Sequence, residues 1–407
     1  MPLSPRSLYI FAVTGIVLLA LGLRTGVAAV SPIAGSIELD IALVGLPLGA
    51  LGTIPVLAYA LAASFSPWLA RFVGLEGSAL VVAGFATLAH LWRGISPTYL
   101  SLFVATVVLM VAVGVGNVIL PALVKLYAPR AIGKVTAAYA TAMSLSSATP
   151  ALVGVWVAGN YGWRVSLATW AVVSIAGGLP WLVILPFAKK RGAAEAAIAD
   201  TLPINVAPTV PFTRSPTAVA ITTIFAVAGA TSYSWFALLP LILMDNAGLD
   251  VAGAALALGL FAIIGLPVSI IIPPLAIRRG FAGPLVVFAI ACGLFGLSGL
   301  LFFPGVAPLA WVVLLSLACM TFHMSLALIG HRTANHLSAL MLSGFVNKIG
   351  YLFAGLGPIL VGLGYQLTGG WELSLTILVV LVLSQIPAVW VLSRERKVDE
   401  ELREHNT

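Results

Sequence analysis

Twelve apolar stretches follow one another with short connections and leave little else for the chain to fold into. A membrane-spanning helix needs about 20 predominantly apolar residues. Windows of that kind place candidates at 8–34, 41–65, 77–93, 98–124, 134–159 and 165–187, then at 217–243, 251–277, 281–303, 308–330, 339–365 and 372–392. In hydrocarbon the backbone must satisfy its own hydrogen bonds, and runs of this length do so as helices. Charged residues make up 8% of the chain, against about a quarter in soluble domains, and the mean hydropathy is +1.11. The expectation is an all-α integral membrane protein with twelve transmembrane helices. Met1–Leu3 leads almost directly into the first stretch with no cleavage signal, so that stretch is expected to stay as a helix.

Lysines and arginines set the orientation. Sixteen of them fall on one side of the expected bilayer if spans alternate, and the other side receives only Arg93 and Arg164. That asymmetry puts both termini in the cytoplasm and the protein in the cytoplasmic membrane. The net charge of +7 follows from these loops and does not point to nucleic acid. Cys292 and Cys319 lie in apolar runs without metal-ligand spacing and read as small packing residues.

A constant offset of 208 residues relates the two parts of the chain. It carries Pro32 onto Pro240, Pro150 onto Pro358, Gly154 onto Gly362, Gly162-Trp163 onto Gly370-Trp371, and Ser166-Leu167 onto Ser374-Leu375. The chain is therefore divided into a six-helix half over 1–187, a cytoplasmic connection over 188–215, a second six-helix half over 216–392 and a tail over 393–407. The connection carries Lys189, Lys190, Arg191, Glu195 and Asp200. The charged tail reads as a solvated end.

Two cations lie inside the apolar runs. Arg24 sits about two-thirds of the way along its span, too far from either end to reach water comfortably. A guanidinium cannot lose its proton in a protein, and its charge costs about 2.5 to 3.5 kcal/mol at a helix centre on translocon scales. It must face a polar interior, on the helical face shared with Val17, Leu21, Ala28 and Ser31. Lys348, beside Asn347, lies nine residues into its span, roughly 13 Å deep at the helical rise. It is placed on a face with Gly344, Tyr351 and Gly355. A nearby Arg24 would favour the neutral amine and a bound anion the charged one, so Lys348 is expected to sense occupancy.

No aspartate or glutamate falls inside the expected spans, Glu372 standing at the outer-loop boundary where the last one begins, which argues against a carboxylate relay and for a substrate that itself supplies negative charge. His323 is then the titratable group in the spans with an ordinary pKa near neutrality, and it joins Lys348 as a candidate for coupling. His90, His331 and His336 sit near span ends and are expected to meet interfacial water. Asn117 can donate and accept in a cavity. Tyr233 and Trp235 could close over a small substrate or simply pack. No nucleophile–base constellation, phosphate loop or metal-ligand cluster is visible, so neither enzyme chemistry nor a cofactor is expected.

Two parallel six-helix halves joined by a polar connection resemble the major facilitator superfamily. SSATPALVG (146–154) and AGLGPILVG (354–362) look like that superfamily's fifth- and eleventh-span motif. There Pro150, Gly154, Pro358 and Gly362 would let the halves approach and bend. Arg24 with Pro32, GNVILPALVK (116–125) and GYLFAGLGPILVG (350–362) narrow the resemblance to the cyanate/2-nitroimidazole transporter family. Thr25 stands where that family usually has proline, and Asn347-Lys348 where it has a Gln-Ser-like pair. The resemblance implies a monomeric carrier with a midplane site lined by spans one, four, seven and ten. Arg24, Asn117, Tyr233, Trp235, His323, Asn347, Lys348 and Tyr351 are the expected substrate-binding residues. The expected cargo is a small anion, cyanate-like or a small carboxylate, with export of small neutral drugs such as nitroimidazoles as the alternative.

Overall fold

Capping residues in the sequence start the helices where the structure begins them. The computed structural model describes residues 4–41, 46–199 and 211–404. Ser4 accepts the Ser7 N–H at 3.1 Å and Pro5 takes the first position of α1 (Pro5–Ala28). This helix stops short of the expected span end. Ala29 and Val30 leave it, a 3-10 turn at Ser31–Ile33 holds Pro32, and α2 (Ala34–Glu38) follows. The first expected span is therefore a broken one.

The second and third expected spans merge into α3 (Leu46–Gly94), without the loop expected between them; residues 42–45 of the second span lie outside the described residues. The chain turns at Gly74 alone, with φ +75° and ψ 173°, a conformation open in practice only to glycine. Glu76, expected in that loop, is buried in the turn that follows. It accepts the hydroxyl of Tyr127 at 2.5 Å. Tyr127 ends α4 (Tyr99–Tyr127), which Thr98 caps and which is buried all round from Ala112 to Val124. The fifth expected span is divided between α5 (Ile132–Thr149), a π-helical turn at Pro150–Gly154 and α6 (Val155–Tyr161). Proline at 150 removes an N–H from the ladder, and the wider turn accommodates the loss. Beyond Gly162 come α7 (Trp163–Thr169) and α8 (Ala171–Ala199). The expected connection is thus helical at its start. Its residues 200–210, including Asp200, lie outside the described residues, as do the side chains of Lys189, Lys190, Arg191 and Glu195.

The remaining chain forms α9 (Pro216–Ala247), α10 (Val251–Ala276), α11 (Ala282–Phe302), α12 (Pro308–Ala318), α13 (Thr321–His331), α14 (His336–Thr368), α15 (Glu372–Leu383), α16 (Ile386–Leu392) and α17 (Val398–Glu404). Among the described residues ten helices are long and apolar enough to cross a membrane, and α3 alone carries two of the expected segments. The chain divides into two compact units, Met1–Val210 with Asn335–Lys348, and Pro211–Ala334 with Ile349–Thr407.

Each unit contains the same pair of clamps, with the Trp and Ser donors at positions related by the sequence repeat and the acceptors shifted by one to three residues. In the first unit Trp163 donates its ring N–H to Asp40 at 3.0 Å, and the Ser166 hydroxyl donates to the Gly154 carbonyl at 2.7 Å. In the second, Trp371 donates to Asp245 at 2.8 Å and Ser374 to the Val361 carbonyl at 2.6 Å. Arg164 adds an ion pair to Asp40 and lies over the Trp163 ring; its counterpart is Glu372, so the second unit lacks that cation. The Arg164 and Trp163 donors hold the Asp40 carboxyl below the usual carboxylate range. A depressed pKa means the clamp's contribution is complete above the ordinary value and is lost only as pH falls through the lowered one.

The tail is docked, which corrects its reading as a solvated end. Glu401 is buried and accepts the Ser215 hydroxyl (2.5 Å), the Thr217 hydroxyl (2.7 Å) and the Thr217 N–H (3.1 Å), so a carboxylate sits on the N-terminus of α9. Arg332 donates to the carbonyls of Arg394 (2.8 Å) and Leu392 (3.2 Å), and Asp399 accepts the Ala334 N–H (2.7 Å). Burial pulls the Arg332 pKa down, while Glu395 and Glu401 push it up. Glu401 is thus matched to an orphan backbone group at a helix start, and Arg332 to carbonyls at and beyond the end of α16.

Two stability outcomes follow. Glu401→Ala should cost on the order of 2 kcal/mol, because several bonds to one buried carboxylate are lost, whereas Glu404→Ala, at an exposed ion pair with Arg396, should be nearly neutral. Gly74→Ala should cost roughly 1–3 kcal/mol through backbone strain. Thermal unfolding of the detergent-solubilised variants checks both.

Candidate functional site

The site is built outward from α1. Three of its sides are committed to packing inside the first unit. At Gly15 an added methyl would meet the Trp181 ring and Pro180 of α8 at 2.9–3.1 Å. Leu23 fills the space that a side chain at Gly116 of α4 would need, and Gly26 lies against Leu109 and Met110 of the same helix. Small residues let these backbones approach, as membrane helices require. Between the packed sides runs a stripe that the neighbouring helices leave exposed in whole or part: Thr14, Val17, Leu21, Arg24 and Ala28. Their spacing of three and four residues is that of one helical face. Arg24 thus lies on the face expected for it; the side chain of Ser31, assigned to that face, is outside those described.

Charge around this stripe is uneven. Among the described residues the carboxylates within the candidate spans are Glu76, Asp245 and Glu372. Glu76 is engaged by Tyr127, Asp245 sits in the last turn of α9 holding Trp371, and Glu372 opens α15. Lys348 lies in the middle third of α14, whereas Arg24 stands four residues before the end of α1.

The other expected site residues of the first unit are placed differently from one another. Asn117 is buried within α4, and its Nδ2 has no hydrogen-bond partner among the described residues. Asn347 is buried and folds back on its own helix, donating to the Ser343 carbonyl at 2.8 Å. Lys348 is exposed, on a face that continues through Leu352 and Leu356. Gly344 is buried against Pro67 and Ala63 of α3, and Tyr351 is buried, so Lys348 does not share their environment. The reason is angular: Lys348 falls between the packed and open sides of α14, and its side chain takes the open one.

In the second unit Tyr351, Phe225, Phe322 and His323 form a run of edge and tilted ring contacts, with centroids 5.1–5.5 Å apart. Tyr351 and Phe225 are buried, and Phe322 and His323 are partly open. Tyr233 is also partly open, but Trp235 is fully buried, lining a narrow crevice with Thr231, Gly293, Leu315 and Gln385. Two residues along a helix is a turn of about 200°, so the two rings of the expected pair point apart. Of the proline–glycine positions, Pro150 begins and Gly154 ends the π-helical turn, with Gly154 held by Ser166. Pro358 lies inside an unbroken α14, where neighbouring Gly357 is pressed on the Ala230 backbone of α9, and Gly362 has open space around it.

Arg93 and His90 also depart from the positions expected of them. Arg93, read as a loop cation, and His90, read as facing interfacial water, are both fully buried on one face of α3. Arg93 donates through Nη1 to the Gly26 carbonyl at 3.1 Å. The signal available was their spacing of three residues next to Gly94, which is pressed on Arg164 and Ala168 of α7.

Comparison with known proteins agrees with this architecture. A family profile for the Major Facilitator Superfamily matches residues 10–339. The chain is 29% identical over 405 residues to a 2-nitroimidazole transporter of Escherichia coli (strain K12), covering 97% of each protein. It is 27% identical over 399 residues to the uncharacterized transporter YycB of Bacillus subtilis (strain 168), covering 97% of this chain and 96% of that protein. The solved structure of a proton:xylose symporter superposes with a TM-score of 0.74 at 13% identity, over 99% of this chain and 100% of that one. The all-helical fold, its broken and proline-bearing spans and these matches lead to one assignment: this chain is a membrane transporter, not an enzyme, and belongs to the major facilitator superfamily.

Proposed function

We propose that this secondary transporter moves a small anion, cyanate-like or a small carboxylate, with Arg24 as its anion-binding residue. The observation that carries the reading is the placement of a permanent charge on the exposed stripe of α1, one turn before the helix ends at Ala28, with the span carboxylates engaged elsewhere or near helix ends. A guanidinium presents parallel N–H groups that match a planar two-oxygen anion. Lys348 adds positive charge, and His323 and Lys348 are the candidates for coupling binding to transport. Asn117, Tyr233, Trp235, Asn347 and Tyr351 complete the set, with Trp235 and Tyr351 acting through packing. The chain works as a monomer in the cytoplasmic membrane, both termini inside, by alternating access between halves 1–187 and 216–392 around a midplane site; Pro150, Gly154, Pro358 and Gly362 serve the bending.

A second reading has its own support in the relative whose name gives 2-nitroimidazole as cargo. A nitro group is planar with two oxygens, so the same guanidinium fork can hold it, and the partly open Phe322 and His323 rings offer a face to a flat heterocycle. Both readings exclude cations, which Arg24 and Lys348 repel.

Uptake into proteoliposomes of radiolabelled cyanate, acetate and 2-nitroimidazole separates the two. Arg24→Ala should reduce uptake of the transported anion about tenfold or more, the range of a lost charge-assisted hydrogen bond. Arg24→Lys should keep part of it, since charge survives and the fork does not. Unaltered uptake of every anion in Arg24→Ala removes Arg24 from the site, and transport of 2-nitroimidazole alone selects the second reading.

A further inference from the structure

The geometry points to Arg93 as a positioning residue that fixes the rotation of α1 and so the direction in which Arg24 faces. This rests on the reading of Arg24 as the binding residue, and goes beyond it by naming what holds that residue in place. Gly26 lies in the last turn of α1, where carbonyls lack an intrahelical donor and carry the negative end of the helix dipole. Arg93 supplies a donor and a positive charge there, at 3.1 Å, from the end of α3. The same Gly26 is pressed on Leu109 and Met110 of α4. Gly26 is therefore held from two directions. Arg24 is two residues away, a rotation of about 200°, so fixing Gly26 against α3 and α4 turns Arg24 to the opposite, open side.

Ala29 and Val30 leave the helix, so rotation of the last turn is not restrained by a continuing hydrogen-bond ladder. Meanwhile Arg93 is fully buried, and its Nε and Nη2 have no hydrogen-bond partner among the described residues. Burying a guanidinium with so few bonds is costly, and an apolar side chain of similar length would pack at lower cost. Retaining arginine here is explained by the one bond it makes to α1.

Thiol labelling tests this without any transported substrate. Arg24→Cys and Thr25→Cys are made separately, with Cys292 and Cys319 replaced by serine, and labelled with a water-soluble maleimide in proteoliposomes. Position 24 is partly open and position 25 buried, so the first should react faster. Adding Arg93→Met, which removes the donor without leaving a buried polar stub, should shrink that contrast roughly fivefold, the scale of losing one capping bond. Arg93→Lys, which can still donate to the Gly26 carbonyl, should restore most of it. The contrast between Val172→Cys and Ala171→Cys on α8, open and buried respectively, should not move; a loss there too would mean general loosening and would overturn the proposal. An unchanged contrast at 24 and 25 in a folded Arg93→Met protein also overturns it. In the unsubstituted protein, amide exchange at residues 27–30 should be slow, and exchange at the rate of a frayed helix end contradicts the anchor. Loss of anion uptake is not used, so failure of the anion reading and failure of this one are read from different experiments.

Discussion

A guanidinium keeps its proton wherever the fold puts it, and in a protein surrounded by hydrocarbon that constraint propagates outward. Arg24 must face the open stripe of α1, which requires the other faces of α1 to be closed by close-packed neighbours. The neighbours achieve this through small residues: Gly116 of α4 receives Leu23, and Gly177 of α8 approaches the Leu18 and Leu19 backbone. Without a hydrophobic drive between helices in lipid, such contacts and interhelical hydrogen bonds are what hold the bundle.

The same economy appears at the helix ends. Backbone groups that lack an intrahelical partner are met by charged side chains from elsewhere in the same unit: Glu401 on the start of α9, Arg332 on the carbonyls that follow α16, Arg93 on the end of α1. In each case a charge in an apolar setting is given a complementary helix dipole or carbonyl. The duplicated Trp–Asp and Ser–carbonyl clamps show the same device copied in the two units, with the Arg164 ion pair added in only one.

Much of this was legible because membrane burial imposes long apolar periods and because duplication leaves fixed offsets. The helices, the Gly-Trp repeats and the open face of Arg24 could be read from spacing alone. What could not be read depended on partners far away in sequence. Arg93 looks like a loop cation until the Gly26 carbonyl is seen beside it. Glu401 looks like one more solvated charge until Ser215 and Thr217 are brought to it. The turn at Gly74 was read as a loop because a single glycine with positive φ suffices where several polar residues were expected. Lys348 was given the surroundings of Tyr351, although a difference of some 60° around α14 separates a buried ring from an exposed amine.

The role given to Arg24 is best examined by seeing an anion on it. A structure determined with trichloroacetate, whose chlorines mark the ligand, should show the carboxylate about 2.8 Å from the Arg24 guanidinium nitrogens, on the side of α1 that carries Val17 and Leu21. A carboxylate bound elsewhere, with the Arg24 guanidinium closed onto backbone carbonyls, would contradict an anion site on α1.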